Sequence, residues 1–120
     1  MTELAMSSVE RDGETRQFRD HGRMLLASAG AFTIGRGEFE PGWRWSQDVK
    51  PIAKTDSCQG PHLGYYVSGR MHVAMDDGEE MEFGPGDFAI IPPGHDAWIV
   101  GDDRCVLLDF GGLKGYATTA

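Results

Sequence analysis

Short apolar runs broken by turn residues recur along most of this chain and predict a β protein. The runs are alternating or continuous, and none shows the period of an amphipathic helix. At least eight short strands with regular turn punctuation are typical of a sandwich or a barrel. The predicted strands cover residues 24–28, 31–39, 64–67, 71–75, 80–83, 88–91, 97–100 and 105–110.

Residues 83–98, with the sequence FGPGDFAIIPPGHDAW, carry the clearest local signal. Gly86 permits a tight turn, because glycine adopts positive φ at little cost. The apolar run 88–91 then suits a buried strand. Pro92 and Pro93 cannot donate to a sheet, so the strand ends there.

Two other segments differ from this pattern. Residues 1–22 are polar, with few large apolar side chains, and we expect a tail or an edge segment. Residues 23–120 are then expected to form one β-barrel domain. Residues 46–57, with the sequence SQDVKPIAKTDS, are predicted to be a longer connection between strands.

Composition and charge narrow the choice of class and partner. A chain of 120 residues with 40% hydrophobic residues has room for a single core. The net charge of -8 disfavours nucleic acid, since neutralising phosphates requires clustered Lys and Arg. No stretch approaches the roughly 20 apolar residues of a membrane span, and no export signal is evident. The two cysteines lack CxxC spacing, so we expect reduced thiols in a cytoplasmic protein.

The spacing of Gly86, Pro92 and Gly94 resembles the second sequence motif of the cupin superfamily. The resemblance covers roughly residues 31–110, and Gly69 fits the last glycine of the first, looser motif. It implies an all-β, cupin-type double-stranded β-helix, a jelly-roll barrel in a single domain with a site inside. It also implies a homodimer, since small cupins often pair through edge strands and terminal segments.

The metal-binding positions of the cupin motifs are altered in this chain. Counting back from Gly69 places His62 where cupins have a glutamate, and Cys58 and Asp56 where they have two histidines. Ala97 occupies the position of the last histidine, and His95 comes two residues earlier. The resemblance therefore implies a degenerate form of the cupin metal site.

Thiolate and imidazole groups are nevertheless competent ligands, and together they favour Zn²⁺ or another borderline metal. We expect Cys58, His62 and His95 to hold a divalent transition metal, with Zn, Fe, Ni and Mn as candidates. The alternatives are that Cys58 is a small buried apolar residue and that His95 bonds a backbone carbonyl in its turn. Asp56 has the alternative of capping its own turn.

Large aromatic side chains are candidates for the wall of a pocket. An aromatic wall commonly shapes a ligand pocket in a small barrel, and ordinary core packing is the alternative. The predicted ligand-binding residues are Trp43, Trp45, Tyr66 and Trp98.

Three functional hypotheses follow, and they leave open whether the protein is an enzyme. The first is a metal-containing cupin that converts or senses a small polar or acidic organic molecule. The second is a metal-free ligand-binding or sensor module, and the third is a dimerising structural domain. A nucleophilic Cys58–His62 pair ranks behind the metal site. The chain has no GxSxG, GxxxxGK or HExxH motif that would indicate another catalytic class.

Overall fold

The computed structural model describes residues 3–111, and over these residues the chain forms nine strands and two single-turn helices. The strands are β1 Glu14–Gln17, β2 Gly22–Ala29, β3 Phe32–Phe39, β4 His62–Ser68, β5 Met71–Met75, β6 Glu80–Phe83, β7 Phe88–Ile91, β8 His95–Ile99 and β9 Cys105–Asp109. The helices are α1 Trp45–Asp48 and α2 Lys50–Ala53.

The strands form two antiparallel sheets. The larger has the order β1-β2-β3-β9-β4-β7, and the smaller has the order β6-β5-β8. Both sheets contribute to one buried core, which includes Phe39, Tyr66 and Leu107 from the larger sheet and Val73 and Ala97 from the smaller. Burial alternates along β7, β8 and β9, as expected for strands with one face on the core and one outside. The predicted all-β class is confirmed.

The strand predictions were most accurate where alternation and turn residues coincided. β5, β6 and β7 have the predicted bounds, whereas β4 begins two residues earlier than predicted, at His62. β8 begins at His95 rather than at residue 97, which brings this histidine into the sheet.

The connection predicted for residues 46–57 contains most of α1 and all of α2. The carboxylate of Asp48 accepts the backbone N–H of Arg44 at 3.0 Å, which stabilises the first turn. The second helix ends at Ala53 and is capped by Lys54, which adopts a left-handed conformation with φ 61°. These helices follow Trp43, whose carbonyl accepts the Ile99 N–H at 3.0 Å, so the segment is fastened to β8.

The polar N-terminal segment contributes a strand at one edge. β1 pairs with β2 in the larger sheet, with Glu14 opposite Leu26 and Gln17 opposite Arg23. The division of the chain at residue 22 into a polar segment and a barrel domain stays a prediction. No helix within residues 3–111 is long and apolar enough to cross a membrane.

Candidate metal centre

Cys58, His62 and His95 meet inside the barrel. One potential ligand atom from each residue lies within 4.8 Å of the other two. Their side chains are buried, with exposed fractions of 4%, 8% and 3% for the three residues. The structure thus brings together the three residues predicted as metal ligands. Asp56 is exposed and does not belong to this cluster.

The backbone places Cys58 directly beside His95. The Cys58 N–H donates to the His95 carbonyl at 2.7 Å, and the Gly94 N–H donates to the Cys58 carbonyl at 2.7 Å. Gly94 has φ 92°, a conformation that glycine adopts without strain. The turn that follows Pro92 and Pro93 therefore aligns the start of β8 with the segment that carries the thiol.

Strand periodicity explains why His95 points into the barrel. Side chains two residues apart share one face of a strand, and His95, Ala97 and Ile99 are all buried. The cupin motif has its histidine at the position of Ala97, and His95 lies one inward-facing step earlier. His62 occupies the corresponding inward face of β4, together with Gly64 and Tyr66.

Each imidazole ring is oriented by a hydrogen bond from its Nδ1 atom. His62 Nδ1 lies 2.6 Å from Asp109 Oδ2, and His95 Nδ1 lies 2.8 Å from the carbonyl oxygen of Pro92. Because both partners are acceptors, the proton of a neutral ring resides on Nδ1 in each case. The Nε2 lone pair of each ring is then available as a metal ligand.

Asp109 is a site residue that was not predicted. Its side chain is fully buried, and Oδ1 accepts the Gly111 N–H at 3.1 Å and the Leu63 N–H at 3.4 Å. A signal for it exists in the sequence CVLLD of β9. Asp109 continues the inward positions of Cys105 and Leu107, and a carboxylate on the core face of a strand requires a partner.

The pKa values of the two thiols distinguish Cys58, which belongs to the cluster, from Cys105, which does not. Burial would raise the pKa of Cys58, but hydrogen bonds with His62 and His95 and the charges of these rings lower it to about 6. Burial would lower the pKa of His62, but hydrogen bonds with Asp109 and Cys58 raise it to about 9. By contrast, burial alone raises the pKa of Cys105 to about 12. Both cysteines are free thiols, and only Cys58 has the environment of a thiolate.

The cluster opens on a cavity of about 30 Å³ inside the barrel. Its other walls are mainly apolar and include Met24, Phe39 and Leu107. A space of this size holds about one or two water molecules. The interior therefore has room for an ion with a very small ligand.

Two of the four predicted ligand-binding aromatic residues line this cavity. They are Trp43 and Trp45, both 2% exposed. Tyr66 is packed in the core outside the lining, where its hydroxyl donates to Met71 Sδ at 3.3 Å. Trp98 lies on the outer face of β8, stacked on His72 with a centroid distance of 4.7 Å.

The donor types, and the one short separation between them, suit a transition metal. In a zinc site with usual Zn–S and Zn–N distances, sulfur and nitrogen ligands lie about 3.5 Å apart. Cys58 Sγ and His62 Nε2 are separated by 3.6 Å. A thiolate and two imidazoles are also the ligand types that borderline metals prefer, and the Nδ1 atoms of both imidazoles are already hydrogen-bonded.

Comparisons of sequence and structure agree with this architecture. The family model described as "Cupin domain" matches residues 49–111. No curated protein matches the chain in sequence.

Solved structures with similar folds share few identical residues with this chain. A sugar phosphate isomerase from Silicibacter pomeroyi is 18% identical with a TM-score of 0.60, covering 89% of this chain and 74% of its own. KdgF from a Halomonas species is 18% identical with a TM-score of 0.59, covering 90% and 94%. Oxalate decarboxylase from Lactobacillus farciminis is 20% identical with a TM-score of 0.61, covering 89% and 33%.

These likenesses concern the fold alone, a jelly-roll β-barrel. The family match includes β4 to β9 and all three residues of the Cys58–His62–His95 cluster. It spans more than half of the chain, and the chain therefore belongs to the cupin family.

Proposed function

We propose that this protein binds one divalent transition metal through Cys58 Sγ, His62 Nε2 and His95 Nε2. The observation that carries the proposal is the convergence of these three buried donor groups at one small cavity. Three protein ligands would leave a coordination position for water or a small molecule, as in catalytic rather than structural zinc sites.

The ligand types favour zinc among the candidate metals. Thiolate and imidazole suit Zn²⁺, and imidazole also suits Fe and Ni, whereas Mn prefers oxygen ligands. The cluster contains no carboxylate among its three donor groups. We therefore place Zn²⁺ first, with Fe and Ni behind it and Mn last.

The surrounding residues prepare the donors for a metal. Asp109 holds the His62 ring, and the carbonyl of Pro92 holds the His95 ring, so neither imidazole needs to reorient. The lowered pKa of Cys58 favours the thiolate that a metal requires, and a bound metal would displace the proton that the raised pKa of His62 retains on its ring. A bound metal would supply Lewis-acid polarisation to a ligand at the open position.

The size of the cavity favours this proposal over a metal-free organic pocket. Pockets for organic ligands usually have volumes of about 300–1,000 Å³. The cavity here has about 30 Å³, which suits an ion and a polar molecule of a few atoms. A larger organic ligand would have to displace wall residues such as Trp43 and Trp45.

We also propose that two copies of the chain associate through the outer face of β4 and β7. Tyr65 and Val67 on β4 and Phe88 and Ile90 on β7 are exposed, with Ile90 at 74% and Phe88 at 64%. Tyr65 lies opposite Phe88 in the register, and β7 is an edge strand. These four side chains carry no charge, so their contact would bury no ionised group, while the repulsion from the net charge of -8 on each copy is screened by salt.

The metal proposal is tested by elemental analysis of the purified chain after loading with Zn²⁺ and removal of unbound ion. We expect about one equivalent per chain in the wild type and a large loss in His62→Ala and His95→Ala. His72→Ala is the matched control, since His72 is half-buried outside the cluster and pairs with Glu80. A wild-type chain that retains no metal would contradict the proposal.

A further inference from the structure

The indole N–H of Trp43 is a buried donor without a hydrogen-bond acceptor in residues 3–111. Trp43 is 2% exposed, and it lines the cavity beside Cys58, His62 and His95. Buried polar groups in native proteins nearly always have a partner, so an unpaired one calls for a specific explanation. The cavity that the ring adjoins supplies one.

The Arg36 side chain offers a useful contrast. Its Nε atom is also buried without a hydrogen bond of good geometry, but it lies 3.2 Å from the carboxylate oxygen Oε2 of Glu38. The negative charge of Glu38 compensates the Arg36 guanidinium, and Arg36 does not line the cavity. Trp43 therefore combines an unpaired donor with a place in the wall of the cavity that the three candidate ligands also line.

The Trp43 ring is held in place from several sides. It packs edge-on against Phe39 at a centroid distance of 4.6 Å and lies 5.8 Å from Phe18. Its backbone N–H donates to Glu40 and its carbonyl accepts from Ile99, both at 3.0 Å. The ring cannot turn its N–H toward solvent without disrupting this packing, so the donor is preorganised.

The other walls of the cavity offer a ligand little polar recognition. Met24, Val73, Ile91 and Leu107 are apolar, and the three cluster residues are committed to the metal in the proposed function. The carboxylate of Asp109 also lines the cavity, but it is an acceptor and is already engaged by His62, Leu63 and Gly111. An acceptor atom held at the open metal position would still have unused lone pairs. A rigid N–H donor at the wall is the group that such an atom requires.

We propose that the Trp43 indole N–H donates a hydrogen bond to a small anion or water molecule held in the cavity next to the metal. This inference rests on the proposed metal site and specifies its ligand class: an acceptor of a few atoms, with oxygen or nitrogen at the binding end. Trp43 is thus a ligand-selecting residue, and apolar molecules of equal size bind more weakly.

The test uses full-length protein loaded with Co²⁺, whose visible absorption reports both metal binding and changes at the open position. Azide is titrated into the wild type, Trp43→Phe and Trp45→Phe. Trp45 is the matched control, because its ring also lines the cavity but its N–H is not a buried unpaired donor. We expect equal Co²⁺ uptake in all three proteins and an azide affinity about 10-fold weaker in Trp43→Phe than in Trp45→Phe, which serves as the reference for an enlarged cavity.

A second measurement on the wild type decides the question if Trp43→Phe folds poorly. The indole ¹H–¹⁵N signal of Trp43 is assigned by eliminating those lost in Trp45→Phe and Trp98→Phe, and azide is added to Zn²⁺-loaded protein. A downfield shift of this signal supports the inference, and an unmoved signal overturns it.

The failures of the two proposals are distinguishable. Co²⁺ binding with the same azide affinity in the wild type and Trp43→Phe overturns the role of Trp43 and leaves the metal site intact. A wild type that takes up no Co²⁺ overturns the metal site and this inference together.

Discussion

Asp109 Oδ2 lies 2.6 Å from His62 Nδ1, although the two residues are 47 positions apart in the chain. The contact joins β9 to β4, which are adjacent strands of the larger sheet. It fixes which nitrogen of His62 faces Cys58, and it gives the buried carboxylate a cationic or proton-donating partner. The proposed metal centre would therefore depend on a residue that is not itself one of its three candidate ligands.

Replacing Asp109 by Asn should weaken metal binding without removing it. The amide can keep a hydrogen bond to the ring but carries no charge, and loss of such supporting groups typically costs about 10–100-fold in metal affinity. Competition with a chromophoric chelator would measure the change. An affinity equal to that of the wild type would show that Asp109 does not support the site.

Bound metal should stabilise the fold. At free Zn²⁺ about 100 times the dissociation constant, the free energy of unfolding should rise by about 2.7 kcal/mol, which is several degrees in melting temperature. Adding a chelator should reverse this increase in the free energy of unfolding, and Cys58→Ala should greatly reduce it. Cys105→Ala is the control, because this thiol is buried away from the cluster, and it should keep the metal-dependent rise.

Charge placed on the outer face of β7 should dissociate the proposed homodimer. Ile90→Lys introduces an ammonium group that is costly to bury in an apolar contact. Light scattering should give twice the chain mass of 13.2 kDa for the wild type and the single mass for the variant. Met81→Lys is the control, since Met81 is exposed on the smaller sheet. A monomeric wild type would refute the dimer.

Ionised Glu38 should stabilise the folded state at neutral pH, and this contribution should be lost in acid. Burial would raise the pKa of Glu38, but the hydrogen bond and charge of Arg23, with the charges of Arg36 and Arg104, lower it below its ordinary value. The pKa of Glu38 is therefore lower in the folded protein than in the unfolded chain. Its contribution to stability is fully present above the pKa of the unfolded chain and is lost as pH falls through the pKa of the folded protein.

Glu38→Gln should therefore cost about 1–2 kcal/mol at pH 7 and less at pH 3. Urea unfolding at both pH values measures the two differences. Glu40→Gln is the control, because Glu40 pairs with Arg104 at the exposed surface and should matter less. Equal losses at pH 7 and pH 3 would exclude an electrostatic origin for the Glu38 effect.

Several strands, and the convergence of Cys58, His62 and His95, were predictable from the sequence for local reasons. In β5 and β7, apolar runs and flanking turn residues mark both the strand and its ends. The spacing of Cys58 and His62 from Gly69 and the cupin resemblance indicated their position. The two helices were not predictable, because each has a single turn and no helical period, and α1 depends on the Asp48 contact with the Arg44 backbone.

The details of the site depended on contacts that no local pattern contains. No local sequence pattern distinguishes Trp45 from Trp98, yet Trp45 lines the cavity and Trp98 stacks on His72 outside it. The partner of His62 was missed because it lies on β9, and only the strand order brings Asp109 to β4. Similarly, the sequence contains no measure of the cavity volume, which depends on how all the walls pack.

His95 and Ala97 both face the barrel interior, although the cupin motif has its histidine at the position of Ala97. A ligand can therefore move along a strand by two residues, about 6.6 Å, and still face the metal side of the wall. A shift of one residue would place it in solvent. In a barrel of this kind, a donor group that shifts along a strand by an even number of residues stays on the inner face, as His95 does relative to the position of Ala97.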